Sequence, residues 1–247
     1  MGASRINSPF QTTRWTMIAN ARQMDDSTLA QQALADLCRD YWYPLYAFAR
    51  RTGCSVQDAQ DVTQSFFGEI LRNNLFAAAD REKGRLRNFL LTAFRRHIRH
   101  AYEREHALKR GGGQEVLSLN LEEGEERYVC EPADHGTPEM LYERSWALAL
   151  LRGALNDLGG VEERAGRGAQ CVALEGFLSP ESAGEADYAT ASAALQMNEN
   201  AVRQAVSRLR KKFRTCLRRQ IADTLHAPSE RQIEDELTSL SVALSHG

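Results

Sequence analysis

Asp187-Tyr-Ala-Thr-Ala-Ser-Ala-Ala-Leu195, Gln196-Met-Asn198, Glu199-Asn-Ala-Val202-Arg-Gln-Ala-Val206-Ser-Arg-Leu209-Arg-Lys-Lys-Phe213 is the stretch that decides the architecture. It reads as two helices joined by the turn Gln196-Met197-Asn198, which is helix-turn-helix spacing. Asn198 can cap the second helix by accepting from its free backbone N–H groups. Val202, Val206, Leu209 and Phe213 recur at helical steps and predict the buried seam. The complementary face carries Arg203, Gln204, Ser207, Arg208 and Lys211. Arginine reads guanine bidentately, glutamine reads adenine, and lysine and serine hold phosphates. One feature departs from the usual pattern: Gln196 stands in the turn where a glycine is common.

Outward from this stretch, helical periodicity continues and strand alternation is nearly absent. Leu34, Leu37, Tyr41, Leu45 and Phe48 predict a helix over 33–51, with Pro44 expected to kink or divide it. Ser55 is a candidate N-cap for a helix to Arg72, whose seam is Val62, Phe66 and Ile70. A long helix is expected over about 85–106, with Leu91, Phe94, Ile98 and Ala101 inward. Residues 111–136, glycine-bearing and acidic, read as a flexible linker. Thr137-Pro138 is a cap followed by a first-turn proline, and it opens a helix with Leu141, Leu148, Leu151, Leu155 and Leu158 on one face. Gly159-Gly160 is expected to punctuate that helix. A further short helix is expected over 169–178.

The chain has 247 residues, 43% hydrophobic and 26% charged, and a net charge of −2, as in an ordinary globular protein. The small net charge hides a strongly segregated one. Between Arg81 and Arg110, eight Arg and two Lys face three Glu, a net +7; between Gln114 and Asp134, six Glu and one Asp face Arg127, a net −6. From Arg203 to Arg219, six Arg and two Lys give +8, and from Asp223 to Glu236 five acids against Arg231 give −4. Basic blocks of this density are the usual footprint of a polyanionic partner.

No apolar run has the length of a membrane span, and residues 1–7 lack the apolar core of a signal peptide, so a cytoplasmic protein is expected. The five cysteines, Cys38, Cys54, Cys130, Cys171 and Cys216, are widely spaced, which disfavours a disulfide framework or a structural zinc site. Enzyme chemistry finds little support, and no cofactor or metal is expected. His97 and His100, with Glu103 or Glu105, have metal-ligand spacing, but the surrounding arginines would repel a cation. Gly111 to Gly113 lacks the Lys-Ser/Thr of a phosphate loop, and no G-x-S-x-G occurs.

Two further motifs carry a family resemblance. Asp58-Ala-Gln-Asp61-Val-Thr-Gln64-Ser-Phe-Phe resembles the D-A-x-D-x-x-Q-x-x-F helix of bacterial RNA polymerase sigma factors of the extracytoplasmic-function (ECF) type. Arg87-Asn-Phe-Leu-Leu-Thr-Ala-Phe-Arg-Arg96 is similar to the family's helix that melts and reads the minus-ten element, and Asp187 to Leu217 to its minus-thirty-five reader. The resemblance implies an all-α fold of two helical domains on an acidic flexible linker. Its parts would be an N-terminal extension (1–28), sigma region 2 (29–110), the linker (111–136), the region 4 helix-turn-helix (137–222) and an acidic C-terminal extension (223–247).

It also implies a division of labour. Asp58, Asp61 and Gln64 would dock on core RNA polymerase. Arg87, Asn88, Arg95, Arg96, Arg99, His100 and Arg104 would hold unpaired minus-ten bases, since aromatic residues among arginines suit stacking plus phosphate contact. Asn200, Arg203, Gln204, Ser207, Arg208 and Lys211 would read the minus-thirty-five element, and the acidic linker would lie near the RNA-exit path. Ser65 replaces a frequent Glu, which alters the polymerase contact, and Arg96 and His100 replace a frequent Asn and Asp, so the minus-ten specificity is not carried over. The implied partners are core polymerase and promoter DNA, with an anti-sigma factor or the chain's own tail as regulator. Ile233, Leu237, Leu240 and Leu244 give that tail an apolar stripe; its acids are expected either to fold over the +8 helix or to belong to a solvated helix that caps the second domain. A helix-turn-helix regulator with a sensory or dimerising first domain explains the C-terminal motif but not the Asp58/Asp61/Gln64 helix.

Overall fold

The computed structural model describes residues 27–73, 85–107, 121–130, 136–178, 187–225 and 228–245. All regular structure in them is helical: α1 Ser27–Arg51, α2 Val56–Asn73, α3 Leu86–Ala107, α4 Leu121–Cys130, α5 Pro138–Arg164, α6 Gly168–Leu174, α7 Tyr188–Leu195, α8 Glu199–Asp223 and α9 Glu230–Ser245. A single 3-10 turn, Glu175–Phe177, follows α6. Thr13-Arg14-Trp15 with Met17 and Ile18 suggests a short amphipathic piece, which lies outside the described residues.

The chain forms two compact units with different boundaries from those expected. Met1–Ala149 and Ala222–Gly247 make the first unit, and Leu150–Ile221 the second. The first boundary falls inside α5 rather than before it. The C-terminal extension belongs to the first unit.

In the first unit α1 is the central helix. Residues 41 to 49 are all buried, so its second half is covered on every side instead of presenting one stripe. Pro44 lies inside α1 without dividing it. Gly53, at φ +100°, turns the chain out of α1, where any other residue would be strained. Ser55 caps α2 as expected: the Asp58 backbone N–H donates to Ser55 Oγ at 3.1 Å. Ala59, Val62, Phe66, Phe67 and Ile70 then pack inward, and the Phe66 ring meets Phe94 of α3 edge-on at 5.0 Å. On α3 the buried seam is Leu86, Leu90, Leu91, Phe94 and His97, while Ile98 and Ala101 are only half-buried, a shift from the expected face.

Part of the expected flexible linker is a docked helix. Gly124 of α4 lies against the Trp42 indole so closely that an added Cβ would collide with the ring. Beside it Arg50 donates to both oxygens of Glu125, at 3.1 and 3.0 Å, and Tyr46 Oη donates to the same carboxylate. The Arg127 guanidinium stacks 3.5 Å over the Tyr43 ring. An acidic segment can order here because its charge is met by Arg50 and its glycine leaves room for the Trp42 ring.

α5 buries Tyr142, Trp146, Leu150, Ala154 and Leu158. Of the leucines expected inward, only Leu158 is buried; Leu141, Leu148, Leu151 and Leu155 are intermediate. The seam lies one position round the helix because two aromatics four apart bury more area than the leucines. Gly159-Gly160 does not interrupt α5.

The second unit packs Leu158, Cys171, Leu174, Phe177, Ala191, Val202, Ala205, Val206 and Leu209 into one core. The carboxylate of Glu162 is buried beneath it. Arg167 Nε lies 2.8 Å and Lys212 Nζ 2.5 Å from its two oxygens, and hydrogen bonds from these groups hold the Glu162 carboxyl below the usual range.

Candidate nucleic-acid interface

The second unit builds its exposed basic face from its helix caps upward. Asp187 starts α7 by accepting from the Ala189 and Thr190 backbone N–H groups at 2.9 and 3.1 Å. Gln196 ends α7 in the left-handed region at φ +52°, the position glycine usually fills. The turn is held there by Met197 N donating to Ser192 O at 3.1 Å, by Ser192 Oγ donating to Met197 O, and by Gln170 donating to the Met197 sulfur at 3.4 Å. Asn198 Oδ1 then accepts from Ala201 N at 2.8 Å and caps α8.

With its start fixed, α8 buries Val202, Ala205, Val206 and Leu209 and turns Asn200, Arg203, Gln204, Ser207, Arg208 and Lys211 to solvent. All six side chains expected to read DNA lie on one open face. Two other cations of the block are spent on structure: Arg210 donates to Phe177 O at 3.2 and 3.0 Å, and Lys212 serves Glu162. The +8 of this helix therefore overstates the charge directed outward.

In the first unit the candidate polymerase face is open. Asp58 and Asp61 are exposed and Gln64 is intermediate, opposite the Val62/Phe66/Ile70 seam. Asp58 also takes part in the cap, accepting from Ser55 Oγ at 2.6 Å, and Asp61 accepts from Gln57 at 3.1 Å. On α3, Asn88, Arg95, Arg96, Arg99 and His100 are exposed. Tyr102 is 64% exposed. Arg95 is shared with Glu139 and lies over the Phe48 ring, and His100 is 3.4 Å from Glu103. The Arg104 side chain lies outside the described residues.

Arg87 is a correction. It was expected on the DNA face, yet it is 5% exposed. Its guanidinium lies 4.1 Å over the Trp146 ring, with Glu143 at 2.9 Å and Glu236 of α9 against Nη1. Glu236, 1% exposed, also meets Arg85 Nε at 2.5 Å, and Arg85 Nη1 donates to Ser239 at 3.0 Å. The tail's best-buried acid therefore meets arginines of the first unit, not the basic helix α8. Helical spacing alone cannot locate a partner 149 residues away.

His97 likewise faces inward. Its Nε2 is 2.8 Å from Ser65 Oγ and its Nδ1 is 2.7 Å from Glu69. That order of groups resembles a hydrolytic triad, but Ser65 sits mid-helix, where the neighbouring backbone N–H groups are consumed by the helix and cannot stabilise an oxyanion. The arrangement ties α2 to α3. Among the described residues no three His, Cys, Asp or Glu side chains could hold a metal ion, and no helix is long and apolar enough to cross a membrane. Protein-family models, curated proteins and solved structures give no match to the chain.

Proposed function

We propose that the chain is an RNA polymerase sigma factor of the ECF type. The observation that carries this reading is the face of α8, where Asn200, Arg203, Gln204, Ser207, Arg208 and Lys211 are all exposed behind a capped three-residue turn. Residues of these types, in the first turns of such a helix, suit reading base edges in the major groove. An acidic face on α2 and a basic, tyrosine-bearing face on α3 support the finer reading over that of a simple DNA-binding regulator, because they supply surfaces for a protein and for unpaired bases.

In this mechanism Asp58, Asp61 and Gln64 hold core polymerase. The α8 face anchors upstream duplex, and Asn88, Arg95, Arg96, Arg99, His100 and Tyr102 take the melted strand, Tyr102 by stacking and the cations by phosphate contact. Arg87 leaves this set and becomes a support for α3. The chain contributes binding and orientation, and the polymerase performs the covalent chemistry.

The test combines titration against purified core polymerase with run-off transcription from templates selected by the resulting complex. Binding followed by template-selective initiation is the expected result. A chain that binds duplex DNA but neither binds core enzyme nor starts transcription is a helix-turn-helix regulator, and the proposal falls.

A further inference from the structure

The Arg203 guanidinium lies 4.1 Å from the centroid of the Tyr188 ring. On another side, Glu199 approaches Arg203 Nη2 to 3.4 Å, one helical turn back. Even so the Arg203 side chain remains 54% exposed, so its outer face and edge stay open. The Tyr188 ring is anchored in turn: it packs on buried Phe177 with centroids 4.6 Å apart, and it begins α7 directly after the Asp187 cap. A rigid path thus runs from the core at Phe177, through Tyr188, to a guanidinium on the exposed face of the next helix.

We propose that Tyr188, which makes no base contact itself, is a specificity-determining positioning residue that presets the Arg203 guanidinium for reading a base edge; this rests on the DNA-reading role of α8. A free arginine samples many rotamers, and base readout needs one orientation of its planar fork. The ring face restricts the plane of that fork, and Glu199 restricts its rotation. Neither removes the outward N–H donors that a guanine would accept. Tyrosine is suited to the task because an aromatic face attracts the cation without offering a hydrogen-bond acceptor that would capture those donors.

The experiment uses the full chain and a duplex that the wild-type protein selects from a randomised 20-base-pair pool, together with variants of that duplex substituted one base at a time. Arg203→Ala should reduce discrimination at one position by about five- to 150-fold. Tyr188→Leu should reduce discrimination at that same position by about two- to fivefold, with the salt dependence of binding unchanged. Tyr188→Phe, which keeps the ring, should restore it, and Tyr188→Leu should have no further effect in the Arg203→Ala background.

Independently of DNA, the Arg203 δ-protons should show an aromatic ring-current shift that is lost in Tyr188→Leu and kept in Tyr188→Phe. Full discrimination in Tyr188→Leu, improved discrimination there, equal loss in Tyr188→Phe, or the absence of the ring-current shift each overturns the positioning role. If Tyr188→Leu does not fold, the ring-current shift in wild type and Tyr188→Phe decides. Failure to select any duplex, or an Arg203→Ala variant with unchanged base preference, overturns instead the reading of α8 on which the role depends.

Discussion

Replacing Glu236 of α9 by alanine is expected to destabilise the first unit. The carboxylate is buried and joined to Arg87 and Arg85, and burial pushes its titration upward while the two arginines pull it down. The carboxyl stays above its ordinary value, so desolvation outweighs the attraction and the intact pair is by itself no net stabiliser. Removing one partner is different, because it strands Arg87 at 5% exposure. Breaking a buried pair costs about 3–5 kcal/mol. Arg87 keeps Glu143 at 2.9 Å and the Trp146 face at 4.1 Å, which places the loss at the low end, about 3 kcal/mol. For a unit of this size that lowers Tm by about 6–12 °C.

Thermal melting of the full chain followed by near-ultraviolet circular dichroism reads the result through Trp146 and Tyr142. Asp235→Ala, at an exposed acid of the same helix, is the control and should stay within about 0.5 kcal/mol of wild type. In a double-mutant cycle, Arg87→Met should recover part of the loss caused by Glu236→Ala. If Glu236→Ala melts with the control, α9 is not held by this pair, and the assignment of the tail to the first unit is wrong.

Other outcomes follow from the same geometry. Asp61→Arg should weaken core-polymerase affinity without lowering Tm, since the side chain is exposed and opposite the seam; unchanged affinity in a titration removes Asp61 from that surface. Arg203→Ala and Gln204→Ala should each cost about 1–3 kcal/mol on a cognate duplex and relax its sequence preference, whereas Lys211→Ala should weaken binding evenly and flatten the salt slope. Identical behaviour of all three on a panel of mutated sites would mean that α8 does not read bases. Glu162, with its carboxyl lowered by Arg167 and Lys212, contributes stability that is present above the ordinary carboxylate range and lost as pH falls through its lower folded-state value. The acid limb of the second unit's stability curve should therefore flatten in Glu162→Gln, as measured by denaturant unfolding at a series of pH values. Gly124→Ala should release α4, because its methyl meets Trp42, and hydrogen exchange at α4 amides should rise while exchange in α2 stays slow.

Most helices, their caps and the exposed polar face of α8 were legible in the sequence because they depend on neighbours within a few residues. Ser55, Thr137 and Asn198 cap where their spacing says they should, and the Val202/Val206/Leu209 seam faces inward. The turn at Gln196 was legible by length but not by residue type: Gln170 and Ser192 hold Met197 beside it, so the glycine usually needed there is dispensable.

Tertiary structure decided what local pattern leaves open, namely which face meets which. Nothing near Arg87 in the chain distinguishes it from Arg95 or Arg99; Trp146, Glu143 and Glu236, all distant in sequence, bury it and remove it from the exposed basic face of α3. The Leu/Glu/Gly/Tyr run of α4 has a helical stripe, but its charge density reads as linker until Arg50 and the flat Trp42 ring are brought opposite. The tail's amphipathic helix was written in its leucine spacing, while its destination was not. Charge gives the sign of a partner, and two basic surfaces were available. Selection between them came from a buried carboxylate that needs two guanidiniums at hydrogen-bond distance, a condition that only the folded chain meets.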